Sequence, residues 1–201
     1  MLITSPCDRM GEILSTRLTM ILFRCLLSAL ISMNLSITNE IQVMPVDPNI
    51  QGLSPKNQCL TKAFVIDASG RGLNIRQKPN SLGKIMGRLA KSTEVNVLGT
   101  KGEWLLISVI NPIAQKVTFR SMGWVYSSLL GVSTKGLDRA SVSLYSQPSF
   151  RSDITGKIPP NTNTNILSCS GKWLRVESKE YHYKGWLDPN QQCAAAYTSC
   201  S

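Results

Sequence analysis

From residue 73 onward, apolar and polar side chains alternate in short runs. Leu73-Asn74-Ile75-Arg76 and Glu94-Val95-Asn96-Val97 place apolar groups at every second position. Successive side chains of a strand leave on opposite faces, so a period of two predicts strands with one buried face. Turn formers separate the runs: Lys78-Pro79-Asn80, Lys101-Gly102 and Asn111-Pro112. Short strands parted by frequent turns predict a small antiparallel sheet or barrel.

The same pattern occurs twice. Set beside the residue 69 positions further on, Pro79 meets Pro148, Ile85 meets Ile154, Gly87 meets Gly156 and Thr93 meets Thr162. Asn96 and Leu98 meet Asn165 and Leu167; Gly102, Trp104 and Leu105 meet Gly171, Trp173 and Leu174. No gap is needed over 73–107. Gly123-Trp124-Val125 then meets Gly185-Trp186-Leu187 at an offset of 62, so the first copy carries seven extra residues around 111–118. The expected organisation is a first unit over 59–131 and a second over 136–193, with a tail over 194–201. Each unit is small and buries only a modest core. Trp104, Trp124, Trp173 and Trp186 are its largest apolar groups.

Two segments precede the repeat. Residues 39–58 are rich in Pro, Asn and Gln and lack periodicity, which reads as a linker. Residues 1–38 hold an apolar stretch, with Leu22, Phe23, Leu26, Leu27, Leu30 and Ile31, and positive charge at Arg17 and Arg24. After Arg24 the apolar run matches a signal-peptide core and is shorter than the roughly 20 residues that span a bilayer. A secretory signal is expected, and an uncleaved membrane anchor is the alternative. The expected location is secreted or periplasmic, or else membrane-anchored and facing the envelope.

Composition adds the charge. There are 22 Lys and Arg against 12 Asp and Glu, a formal net charge of +10, and the excess remains when residues 1–36 are set aside. A basic body favours anionic partners; an ordinary solvated basic surface is the alternative. Four of the six cysteines lie beyond the leader: Cys59, Cys169, Cys193 and Cys200. None forms a CxxC pair, and His182 is the sole histidine, so neither a structural zinc site nor any other metal or cofactor is expected. An even count in an exported chain points to disulfides. Cys193 with Cys200 is the favoured pair, leaving Cys59 and Cys169 to link the units or stay reduced.

The segment LNIRQKPNSLGKIMGRLAKSTEVNVLGTKGEWLLI, followed by GWVYSSLL, resembles the bacterial SH3 (SH3b) domain. The family pattern runs N-x-R-x-x-P, then G-x-L, V-x-V, W-x-x-V and a closing G-W-V. Asn74, Arg76 and Pro79; Gly87 and Leu89; Val95 and Val97; Trp104 and Ile107; and Gly123, Trp124 and Val125 carry it here. The second copy departs from it: Ser143 and Tyr145 stand in place of the Asn and Arg. The resemblance implies an all-β fold of two tandem SH3-like barrels, and ligand binding rather than catalysis.

The residues agree with that expectation. A cysteine peptidase needs a cysteine and a histidine in reach, and a glycosidase needs two opposed carboxylates; neither signature is present. The SH3b resemblance implies a shallow aromatic groove between loops. Candidate ligand-binding residues are Arg76, Trp104, Trp124 and Tyr126 in the first copy, with Lys78, Lys84 and Arg88 available to carboxylates. In the second they are Tyr145, Trp173, Tyr181, Tyr183 and Trp186. The tryptophans are equally candidates for the barrel cores. The expected role is a monomeric, non-catalytic envelope protein that binds peptidoglycan or envelope proteins. A structural or protein-interaction module using tandem copies for avidity is the alternative. Nucleic acid is not an expected partner, and a membrane is one only if the leader is retained.

Overall fold

The computed structural model describes residues 52–113, 119, 121–136 and 141–195, all within the unit Pro45–Ser201. The leader, residues 39–51 of the linker and Cys200 lie outside the described residues.

The first copy is built from β1 (Gln58–Val65), β2 (Leu73–Arg76), β3 (Ile85–Leu89), β4 (Glu94–Lys101), β5 (Trp104–Val109) and β6 (Met122–Tyr126). The strand β7 (Leu130–Thr134) follows, then β8 (Val142–Tyr145), β9 (Ile154–Ile158), β10 (Asn163–Ser170), β11 (Trp173–Ser178), β12 (Tyr183–Leu187) and β13 (Gln192–Cys193). All belong to one continuous sheet in the order β3-β2-β6-β5-β4-β1-β7-β10-β11-β12-β8-β9, with β13 also on β7. The all-β expectation of two tandem SH3-like barrels holds.

The repeat seen in the sequence is reproduced in the backbone. A bulge between Val97 and Gly99 in the β4–β5 hairpin recurs between Ile166 and Ser168 in β10–β11. Such a bulge strengthens local twist and bends the strand, as a sheet closing on itself requires. The tight turns after β4 and β10 use Gly102 and Gly171 at φ 58° and 56°, a conformation that glycine adopts without steric cost. Ser92 and Asn161 share the left-handed region at φ 69° and 58°.

The copies share a strand. In copy one, β1 opens the barrel against β4 through Phe64↔Glu94, Ala63↔Val95 and Lys62↔Asn96. In copy two the same positions of β10 are met by β7, through Ser133↔Asn163, Val132↔Thr164 and Gly131↔Asn165. Yet β7 also closes copy one, pairing with β1 through Phe64↔Gly131 and Val65↔Leu130. In copy two β13 performs that closing step on β7, through Gln192↔Thr134 and Cys193↔Ser133. One five-residue strand is therefore last in one barrel and first in the next. Gly131 sits at the crossing point: a Cβ there would lie 2.5 Å from Ile66 Cγ2 and 3.1 Å from the Thr164 carbonyl oxygen.

Burial follows the predicted alternation. Leu73, Ile75, Val95, Val97, Leu105 and Ile107 point inward in copy one, and Val142, Leu144, Ile166, Leu174 and Val176 do so in copy two. Together with Leu130 and Val132 of β7 they form one apolar core running through both barrels. Burying such side chains supplies roughly 1.5–3 kcal/mol each relative to exposure. Leu106, on the opposite face of β5, packs with Trp124 under Leu53. The end of the linker thus folds onto the first barrel, where Pro55–Asn57 makes a 3-10 turn.

A covalent clasp joins the copies. Cys59 on β1 and Cys169 on β10 form a disulfide across 110 residues of sequence. Beside it, Leu60 N–H donates to the Gly171 carbonyl at 2.8 Å and Gly171 N–H donates to the Gln58 carbonyl at 2.9 Å. The Thr61 hydroxyl donates to Gln192 Oε1 at 2.7 Å. Of the two states open to Cys59 and Cys169, linked or reduced, the structure has the link. Cys193 is also disulfide-bonded; Cys200, its expected partner, lies outside the described residues.

Candidate ligand-binding groove

In copy one the loop after β1, the strands β2 and β3, and the β5–β6 edge surround a cleft of about 570 Å³. Trp104 and Tyr126, neighbours across the β5–β6 ladder, meet edge to face there, with ring centroids 5.7 Å apart. Arg71, Arg76 and Arg88 line it, with Asp67 as the one carboxylate in its lining. The structure thus brings together four of the candidates, Arg76, Arg88, Trp104 and Tyr126.

Local hydrogen bonds set how each cation is presented. Arg76 donates from Nη1 to the Gly83 carbonyl at 2.8 Å, which ties down the turn between β2 and β3. Arg88 stands opposite Asn74 on the β2–β3 ladder and donates from Nε to Asn74 Oδ1 at 2.9 Å. That leaves the terminal nitrogens of Arg88 for other acceptors. The Asn and Arg of the N-x-R motif therefore act in part through structure: one aims Arg88 and the other staples a turn. Asp67 accepts from Ser69 N–H at 2.9 Å and from the Ser69 hydroxyl at 3.1 Å. This turn carries Arg71 outward, and among the described residues its guanidinium has no partner.

Tyr126 is held above the ordinary phenol range. The negative charge of Glu103 is the main cause, with burial and a hydrogen bond to the same carboxylate adding to it. The phenol is therefore a neutral donor at physiological pH.

At the corresponding position copy two has different chemistry. Tyr145 replaces Arg76, and Phe150 replaces Ser81, which lines the copy-one cleft. Tyr145, Phe150 and Trp173 form a three-ring cluster with centroid distances of 6.0, 5.7 and 4.9 Å. Edge-to-face pairs of this kind are favourable beyond their area burial. Phe150 nevertheless remains 60% exposed. The turn stapled by Arg76 in copy one is held differently here. Ser152, at the position of Gly83, donates from its hydroxyl to the Ser149 carbonyl at 2.8 Å and accepts from Gln147 N–H at 3.2 Å. A local hydroxyl has taken over the arginine's task, and an aromatic residue occupies the vacated position.

The other candidates lie elsewhere. Trp124 is only 4% exposed and belongs to the apolar cluster under Leu53. Its counterpart Trp186 lines a separate cleft of about 420 Å³ between the copies, beside Cys169 and Lys56. Tyr181 packs against the core edge, and its hydroxyl is held above the ordinary range by a hydrogen bond to Glu180, then by burial and that residue's charge. Tyr183 stands exposed over Gly156. Lys78 and Lys84 are exposed on the β2–β3 turn, outside the cleft lining. Arg71, Asp67 and Phe150 were not among the sequence candidates. Phe150 carried a signal, an aromatic residue in a turn where the first copy has serine. Arg71 and Asp67 precede the repeated segment and carried none. His182 sits exposed at φ 57°, and no cluster of three or more potential metal ligands occurs among the described residues. No helix among the described residues is long and apolar enough to cross a membrane.

The chain resembles several solved structures at low similarity. NlpC2 from Trichomonas vaginalis aligns at 16% identity and TM-score 0.28, over 72% of this chain and 50% of its own. NlpC1 from Trichomonas vaginalis aligns at 16% identity and TM-score 0.29, over 72% and 48%. The chain thus spans about half the length of these two proteins. The endolysin LysPBC5 CBD aligns at 18% identity and TM-score 0.30, over 69% of this chain and 96% of its own. No curated protein sequence matches the chain. The family model described as "Bacterial SH3 domain" matches twice, over residues 71–131 and 140–191, together more than half of the chain. With its two barrels and their repeated bulges and turns, the chain belongs to the bacterial SH3 domain family, in two tandem copies.

Proposed function

We propose that this chain is a non-catalytic binding protein of the cell envelope that recognises peptidoglycan through the peptides of the wall. The observation that carries the reading is the open groove of copy one. Two edge-to-face rings and three arginines line it, a surface suited to an extended, anionic chain. The Cys59–Cys169 disulfide supports an exported location, since such bonds persist in oxidising compartments. The sequence leader supports it as well. Sedimentation with purified sacculi at low salt tests the reading. The protein should pellet with the sacculi, and Trp104→Ala, checked for folding by its thermal transition, should release it. Protein that stays wholly in the supernatant would overturn the proposal.

A second reading, a tandem protein-interaction module, is favoured by one observation. The shared β7 and the disulfide fix the two grooves on one frame, which suits simultaneous engagement. If Phe150→Ala left binding to a multivalent target unchanged while Trp104→Ala abolished it, this reading would fail.

A further inference from the structure

Resting on that reading, we infer that the copy-one groove selects for a free carboxylate on the bound peptide, gripped by Arg71 and Arg88. Three observations converge on this. The guanidinium of Arg71 has no partner among the described residues, although it is carried outward at the cleft. Arg88 is aimed through Nε by Asn74 at 2.9 Å, which leaves its two terminal nitrogens for one planar acceptor. An arginine held by one edge and open on another is pre-organised for bidentate binding of an oxyanion. Asp67, the one carboxylate in the lining, accepts from Ser69 at 2.9 and 3.1 Å and forms no ion pair with either arginine among the described residues.

The charge balance narrows the anion. Arg71, Arg76 and Arg88 line the cleft with Asp67, and Glu103 stands beside the Tyr126 hydroxyl. These five groups leave one net positive charge. That complements a single carboxylate. A polyphosphate chain lying along the groove would meet Asp67 and Glu103, and like-charge contact would oppose it. The peptide backbone then lies over Trp104 and Tyr126, whose rings line the cleft.

Copy two provides the internal contrast. Tyr145 stands where Arg76 is, Ala140 where Arg71 is, and Lys157 where Arg88 is. A lysine lacks the planar fork, so the second groove has no equivalent grip.

The test uses the full chain with three preparations of sacculi: untreated, carboxyl-amidated with carbodiimide and ammonia, and stripped of phosphodiester polymers with acid. Binding is read as the apparent Kd from sedimentation. Amidation should weaken wild-type binding roughly 10-fold to 100-fold, the range for losing a charge-assisted pair. Stripping should leave it unchanged. Arg71→Gln/Arg88→Gln should lose as much on untreated sacculi and nothing further on amidated ones, because both perturbations remove one interaction. Arg71→Gln alone, at an exposed side chain, gives a partial loss and guards against misfolding of the double variant. Lys157→Gln should bind like wild type. Equal binding to untreated and amidated sacculi would overturn the inference and leave the proposed function standing. Loss on stripping alone would overturn it in favour of a phosphodiester ligand. No binding to untreated sacculi would overturn the proposed function and this inference together.

Discussion

Removing the Cys59–Cys169 bond should destabilise both barrels at once. The perturbation is Cys59→Ala/Cys169→Ala, chosen over chemical reduction because reduction would also open the bond at Cys193. Alanine avoids placing unpaired hydroxyls at two buried positions. The bond closes a loop of 110 residues, and the chain-entropy relation gives about 4.8 kcal/mol for a loop of that size at 25 °C. Measured losses for native disulfides run from about 2 to 5 kcal/mol, so a fall in that range is expected. The hairpin tip at Gly171 also stands on β1 through two backbone hydrogen bonds, which the variant retains. Urea unfolding followed by tryptophan fluorescence and by far-UV circular dichroism gives the measurement. Both probes should report one transition, shifted to lower urea, with a steeper m-value because the uncrosslinked denatured chain is more open. A loss below about 1 kcal/mol would refute the loop-entropy reasoning. Two separate transitions in the parent protein would refute a core shared between the copies.

Three further outcomes are expected. Gly131→Ala should cost roughly 1–3 kcal/mol, the range for overpacking, and should broaden amide signals of β1 and β10 alike in NMR spectra. Ser92→Val, a branched residue at φ 69°, should lose about 1 kcal/mol in denaturant unfolding, whereas Ser92→Asn, the residue of its twin Asn161, should lose none. Glu103→Gln should bring the Tyr126 titration down toward the ordinary phenol range, read as tyrosinate absorbance by difference against Tyr126→Phe. The raised folded value means that Tyr126 supports stability below the ordinary phenol pKa and loses that support as pH rises through the folded value; the variant should shrink this alkaline loss.

Much of the fold was legible because the repeat runs ungapped through the parts that impose backbone geometry. The offset of 69 that aligns Gly102 with Gly171 also aligns two bulges and two left-handed residues. The shared strand was not legible. Its twin in copy one is β1, and the residues that pair alike, Phe64-Val65 and Ser133-Thr134, have no chemistry in common. Strand pairing runs through the backbone, so it leaves little trace in side-chain identity. At the groove, Arg76, Trp104 and Tyr126 could be picked out because each is a large group flanking a turn or closing a strand. The role of Arg76 at Gly83 could not, since it depends on the path of the turn between them. Trp124 illustrates the converse limit: alternation placed it on a face, but the cover over that face comes from Leu53, in a segment without periodicity.

The shared strand also governs how this architecture can lengthen or be cut. A unit added in this manner brings six strands and borrows its first from its predecessor, so barrels grow like links of a chain in which each ring includes part of the last. Excising either ring opens both. A fragment that stops at residue 129 leaves β1 an unpaired edge, and one that starts at 136 does the same to β10. The two residues of β13 close the second ring on β7.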